Sequence, residues 1–245
     1  MRLHSSTAPL DERRCRRVGH SIIKAGGDLD QLAQRLEGAG WDMVELDVLA
    51  RGDELIVAHS PDELDHPRPV VFADALQALR ELLPPTVELD VDIKGTGYER
   101  AVLDTLRSLD LVDRTLVSTM EPASLRVLRA HAPELRLGLS IPKARRDYLS
   151  HRLTRPAAYA MLAYLRRVMP RRAAEAVRSG LADAIMAHWG IVTPGLVAAV
   201  RAAGGELYVW TVDDPQRLLS LHALGVSAVI TNDRELFARA GLQPT

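Results

Sequence analysis

The chain is poor in cysteine, lysine and aromatic residues and has no long apolar run, and each scarcity excludes something. A single cysteine, Cys15, in 245 residues rules out an intrachain disulfide and fits a reducing compartment, so a cytoplasmic location is expected. No stretch approaches the roughly 18 apolar residues of a spanning helix. The N-terminus lacks the apolar centre of a secretion signal, so no anchor through a membrane is expected. The 31 basic and 32 acidic groups nearly cancel, which argues against a nucleic-acid partner drawn in by bulk charge. An anionic partner would have to meet a local patch. Arginine fills the basic positions except Lys24, Lys94 and Lys143; at position 94 a compact ammonium rather than a planar fork suits a specific task.

What is present in quantity is apolar residue, 47% of the chain, arranged in alternating strand-like and helix-like segments. Strands are predicted at 17–20, 43–49, 87–93, 115–118, 135–141, 184–187, 207–211 and 228–231, and helices at 29–37, 72–83, 98–109, 121–131, 194–203, 215–223 and 233–239. Helix starts are marked by Asp28, Thr119 with Pro122, Thr193-Pro194, Asp214-Pro215 and Asn232, and ends by Gly38, Gly40, Gly204 and Gly225. Eight strands with intervening helices in about 250 residues predict a single-domain (β/α)8 barrel over 17–245, preceded by a flexible leader, 1–16. A doubly wound open sheet is the alternative, disfavoured because no glycine-rich loop follows the first strand. Residues 143–172 break the rhythm. They carry Lys143, Arg145, Arg146, Arg152, Arg155, Arg166, Arg167, Arg171 and Arg172 with Tyr148, Tyr159 and Tyr164 interleaved. A basic helical excursion beside the barrel mouth is expected there, either solvated or resting on an anionic membrane surface.

Function in such a barrel sits at the C-terminal ends of the strands, where His20, Glu45, Asp47, Asp92, Lys94, Ser118, His188, Trp210 and Thr231 are expected. Successive strand side chains point to opposite faces, so Glu45 and Asp47 share a face, as do Asp90, Asp92 and Lys94. Carboxylates, a lysine and a histidine crowded on one cavity repel or desolvate at high cost unless a charged species lies between them. A hard, oxygen-coordinated divalent cation is the usual solution, and the set reads as a metal-bound phosphate site. Glu88 and Asp90 lie deeper on the same face and are read as structural.

Gly19-His20, Glu45-Leu46-Asp47-Val48, Ala58-His59, Asp92-Ile93-Lys94, Trp210-Thr211-Val212-Asp213 and Gly225-Val226 through Ile230-Thr231-Asn232, in that order, resemble the glycerophosphodiester phosphodiesterase superfamily, which includes the sphingomyelinase D-type phospholipases. The resemblance runs from His20 to about Phe237. It implies Glu45, Asp47 and Asp92 as ligands of one magnesium or calcium ion, and His20 and His59 as the acid–base or nucleophile pair. It also implies Lys94 on a phosphate oxygen and Trp210 as a pocket wall, with His188 beside it as a further substrate-binding candidate. The substrate would be a small-molecule or lipid phosphodiester. Two imidazoles suit the chemistry, one accepting a proton from the attacking group and the other donating one to the departing alkoxide.

Departures from the family pattern narrow the reading. Asp92 stands where many relatives have glutamate. Ser21 and Ile22 follow His20 where arginine and glycine are usual, and Ser60 follows His59 where an acid is common. Lys24 is the nearest stand-in for the missing arginine. The short segment between His59 and Glu88 lacks a substrate-selecting insertion, leaving a more open mouth. A glycerophosphodiester hydrolase is the main expectation. A sphingomyelinase D-like enzyme forming a cyclic phosphate, a non-catalytic phosphodiester-binding relative and a sugar-phosphate isomerase remain as alternatives.

Overall fold

The computed structural model describes residues 15–142, apart from 25, 28 and 39, and residues 155–242, with the backbone alone at 30 and 155–159. Nine strands form one sheet: Arg16–Gly19 (β1), Met43–Arg51 (β2), Glu54–Val57 (β3), Glu88–Ile93 (β4), Thr115–Thr119 (β5), Arg136–Ile141 (β6), Ala184–His188 (β7), Glu206–Trp210 (β8) and Ala228–Thr231 (β9). All but β3 pair parallel in the order β1, β2, β4 to β9, and pairing of β1 with both β2 and β9 closes the barrel. The helices are Leu32–Leu36 (α1), Phe72–Leu82 (α2), Glu99–Ser108 (α3), Pro122–His131 (α4), Arg155–Arg178 (α5), Pro194–Ala202 (α6), Pro215–Leu224 (α7) and Leu236–Arg239 (α8).

Alternation along the strands builds two apolar layers. Val18, Met43, Leu116, Ala184, Met186, Tyr208, Ala228 and Ile230 pack inside the barrel, while Val44, Leu46, Val48, Leu89, Val91 and Ile93 face outward against Leu76, Leu79, Val102, Leu103 and Leu106 of the helices. The expected caps hold at α6, where Thr193 Oγ1 accepts the Leu196 amide, and at α7, which Asp214 opens and Gly225 ends in the left-handed region at φ 77. The first and last helices are shorter than their sequence patterns, and Asn232 turns away from the helix start it was expected to cap. Its side chain bonds Asp213 and His20 instead.

Three further features differ from the sequence reading. Residues 54–57 form the short antiparallel strand β3, a hairpin that folds back on the end of β2 with Leu49 opposite Ile56, and it delivers His59 to the barrel mouth. Cys15 and Arg16, read as leader, belong to the barrel: Cys15 is buried, burial pushing its thiol up to about 12, and Arg16 opens β1. The basic segment is in part an ordinary barrel helix. Residues 155–172 lie within α5, whose Met169, Ala173 and Ala176 join the core between β6 and β7; 143–154, like 1–14, fall outside the described residues. Among the described residues no helix is long and apolar enough to cross a membrane.

Candidate active site

β2 and β4 are hydrogen-bonded neighbours with Glu45 opposite Asp90 and Asp47 opposite Asp92. That register stacks four inward carboxyls on two adjacent staves. One oxygen from each of Glu45, Asp47 and Asp92 lies within 4.8 Å of the others. Lys94, one step beyond Asp92 on the same face, brings its Nζ to 2.7 Å from Asp47 Oδ1 and 2.5 Å from Asp92 Oδ2. Ser21, held at φ 42, donates its amide to Glu45 Oε2 at 2.5 Å and its hydroxyl to Asp47 Oδ2 at 2.9 Å. The serine that replaces the family's arginine therefore ties two of the carboxylates together.

The electrostatics of this set are strained. Burial, and then the charge of Asp47, push Glu45 well above the carboxylate range. Asp47 is itself opposed by burial, but the hydrogen bond from His59 and the charge of Lys94 outweigh that and hold it well below. Burial likewise raises Asp92, against the pull of Lys94. The Lys94 ammonium, disfavoured by burial, is held above its ordinary pKa by Asp92, Asp47 and Glu45. Asp90 sits beneath, pushed up to about 8 by burial and by Asp92, and accepts from Ser118 Oγ at 2.7 Å. Three carboxylates, two of them buried, share one lysine. Asp47 Oδ1 is buried, and among the described residues its partner is the Lys94 ammonium at 2.7 Å. An all-oxygen donor set with excess negative charge fits a hard divalent cation.

The two histidines flank this cluster. His20 follows β1; its Nδ1 is 3.0 Å from Asn232 Oδ1 and its Nε2 3.9 Å from Glu45 Oε2. Asn232 is oriented by Asp213, whose Oδ2 accepts from Asn232 Nδ2 and whose Oδ1 accepts from the Asn232 amide and from Thr231 Oγ1, each at 2.9 Å. A carboxylate only accepts, so the Asn232 amide group must face Asp213 and its carbonyl oxygen His20. His20 therefore carries its proton on Nδ1 and leaves Nε2 as an acceptor. His59 follows β3, with Nδ1 3.2 Å from Asp47 Oδ2 and its amide donated to Glu63 Oε2 at 2.7 Å. The hydrogen bond to Asp47 holds the His59 pKa above the ordinary imidazole value.

Both imidazoles line a hollow of about 210 Å³ with Ser21, Lys24, Asp47, Glu63 and Asn232. They also line a deeper cavity of about 330 Å³ with Glu45, Asp92, Lys94, Met120, Met186 and Trp210. A model of the Glycerophosphoryl diester phosphodiesterase family matches residues 71–236. The chain belongs to this family. A glycerophosphodiester phosphodiesterase of Arabidopsis thaliana is 32% identical over 96 residues, which cover 38% of this chain and 29% of that protein, less than a third of its length. Solved glycerophosphodiester phosphodiesterases share the fold. The enzyme from Parabacteroides distasonis superposes with TM-score 0.69 at 16% identity, covering 92% of this chain and 98% of its own. A phosphodiesterase of Oleispira antarctica, solved with the product sn-glycerol-3-phosphate, gives 0.63 at 17%, covering 91% and 95%.

Against the residues expected for a member of this family, the structure brings together His20, His59, Glu45, Asp92, Lys94 and Trp210 around one cavity, with Asp47 at the adjoining hollow that both histidines also line. Trp210 donates its indole N–H to the Met186 carbonyl at 3.0 Å, which fixes the ring as a wall. His188, expected at a substrate-binding position, stands beside Trp210 at the end of β7. Its Nδ1 accepts the Gly190 amide at the turn after β7, and its ring packs against Trp189 and Trp210; Met186, one layer below, reaches the cavity instead. Sequence reasoning assigned no role at the site to Ser21, Glu63 or Asp213, and gave Asn232 only that of a helix start. Asp213 and Asn232 stood inside motifs already singled out, and a search for polar side chains near the histidine motif in space, not in sequence, would have found them.

Proposed function

We propose that the chain is a metal-dependent glycerophosphodiester hydrolase that releases an alcohol and glycerol phosphate. The observation that carries the reading is the meeting of Glu45, Asp47 and Asp92 within 4.8 Å beside two hollows that His20 and His59 both line, one of them reached by Lys94. The product bound to the Oleispira relative supports a glycerol phosphate diester as substrate. The three carboxylates would hold one magnesium or calcium ion, which supplies charge to a non-bridging phosphate oxygen and so favours the transition state. Lys94 adds a second positive charge at the same cavity, and Lys24, which lines the adjoining hollow, would stand in for the missing arginine.

His20, with its lone pair on Nε2, accepts the proton of the attacking water. His59, whose pKa the hydrogen bond to Asp47 raises, donates to the leaving alkoxide. Trp210 and Met186 shape an apolar wall that excludes water from the leaving group. The test is product analysis with glycerophosphocholine, lysophosphatidylcholine and sphingomyelin in parallel, with magnesium or calcium added. Glycerol phosphate from the first substrate is the expected result. Phosphorus NMR separates hydrolysis from attack by a substrate hydroxyl, which would leave a cyclic phosphate, and absence of turnover on all three substrates would refute the proposal.

A further inference from the structure

α5 has 24 residues, against 9 to 11 in α2, α3, α4, α6 and α7, and at 1.5 Å per residue it is about 36 Å long. It descends from the mouth of the barrel. Arg166 Nε donates to the Gly190 carbonyl at 2.9 Å, just past the C-terminal end of β7, and Leu162 lies against Gly190 as well. The turns before Leu162 therefore stand beyond the rim, on the side of the active site.

The face of this helix turned from the core is unusual in two ways. At its mouth-side end Met161 and Tyr164 are exposed, by 57% and 53%. At three- and four-residue spacing below them, hence on the same face, follow Arg167 and Arg171, with Arg172 at the edge. Among the described residues these three arginines make no ion pair; several arginines elsewhere on the surface make none either, but these three stand within two turns of one helix. Glu175, an acid further along, is taken by Arg178 at 3.4 Å. Unpaired positive charge on a chain of net charge −1 is a local device, and exposed aromatic and thioether side chains beside it are what an interfacial helix presents to headgroups and acyl chains.

We infer that the outer face of α5 docks on an anionic bilayer surface, with the arginines at the lipid phosphates and Met161 and Tyr164 in the headgroup region. Binding is independent of turnover, so it is tested without substrate. The full chain is sedimented with vesicles of pure phosphatidylcholine and with vesicles into which phosphatidylglycerol is mixed. The expected result is association with the mixed vesicles only, weakening as salt is added. In an R167Q/R171Q/R172Q variant that melts like the parent, binding should fall roughly 100-fold, about a factor of five for each arginine. Equal association with both kinds of vesicle, or undiminished binding by the triple variant, overturns the inference. So does retention by duplex DNA without binding to the mixed vesicles, which assigns the patch to nucleic acid.

Discussion

Asp213 does not line the cavity, yet through Asn232 it decides which nitrogen of His20 carries the proton. Asp213→Asn would place an amide donor against the Asn232 amide, turn Asn232 over and offer His20 a donor, favouring the wrong tautomer. Turnover should fall on the order of 10- to 100-fold, less than the roughly 10² to 10⁴ expected when the His20 or His59 imidazole is removed by alanine. Steady-state kinetics on glycerophosphocholine with all three variants checks both statements; full activity in either alanine variant would refute the assignment of that histidine. At this scale the sequence was legible where chemistry follows strand parity. Glu45, Asp47, Asp92 and Lys94 could be placed on one face by counting alone. It was illegible where two loops meet: residues 213 and 232 are 19 apart with no periodicity linking them, and Ser21 reaches Glu45 and Asp47 only because its backbone is left-handed.

The hairpin of β2 and β3 is the element on which His59 depends. β2 extends past the barrel proper to Arg51, turns at Gly52 with φ 62, and returns as four residues paired to its own end. Ile56 is fully buried there in a small cluster with Leu49 and Ala58, against Leu64, Val71 and Tyr98. Ile56→Ala should cost about 2–5 kcal/mol, the range for a large core side chain cut to alanine, and should lower turnover beyond what the melting shift explains, because the hairpin sets the approach of His59 to Asp47. Thermal melting and kinetics at a temperature where the variant is folded separate the two effects. β3 is no shorter than β1 or β9, but no helix separates it from β2, so a reading built on strand–helix alternation passed over it. A different limit acts on α5: its charged outer residues dominate the pattern, and the buried stripe of Met169, Ala173 and Ala176 is too small in side-chain volume to advertise a core face.

Across the whole molecule the barrel interior has two polar ends separated by an apolar middle. At the N-terminal end Arg16 and Arg136 both bind Glu88 Oε2, at 2.5 and 2.6 Å, and Arg136 also reaches Glu206 and the buried Tyr208 hydroxyl. This plug balances its own charge, which is why Glu88, inward like the site carboxylates, is structural. Burial pushes the Glu88 carboxyl up, but Arg16 and Arg136 outweigh it and hold its pKa below the ordinary 4.5. A depressed carboxyl stabilises the fold fully above that value, and the contribution is lost as pH falls through the lower folded value. Melting temperature should therefore drop in acid, and Glu88→Gln should be less stable than the parent at neutral pH while the two converge at low pH. The C-terminal end is the opposite case, with more carboxyls than positive groups, an arrangement that suits a bound cation. The sequence made the closed barrel and its acidic mouth legible; it could not show which acids are neutralised from within. The central claim is that Glu45, Asp47 and Asp92 hold one divalent cation without which the two histidines do no chemistry. The direct measurement is glycerophosphocholine turnover by chelator-stripped protein titrated with magnesium or calcium. Activity absent after stripping, restored at one ion per chain and not restored in Asp47→Asn, is the expected result; turnover that survives the chelator unchanged would contradict it.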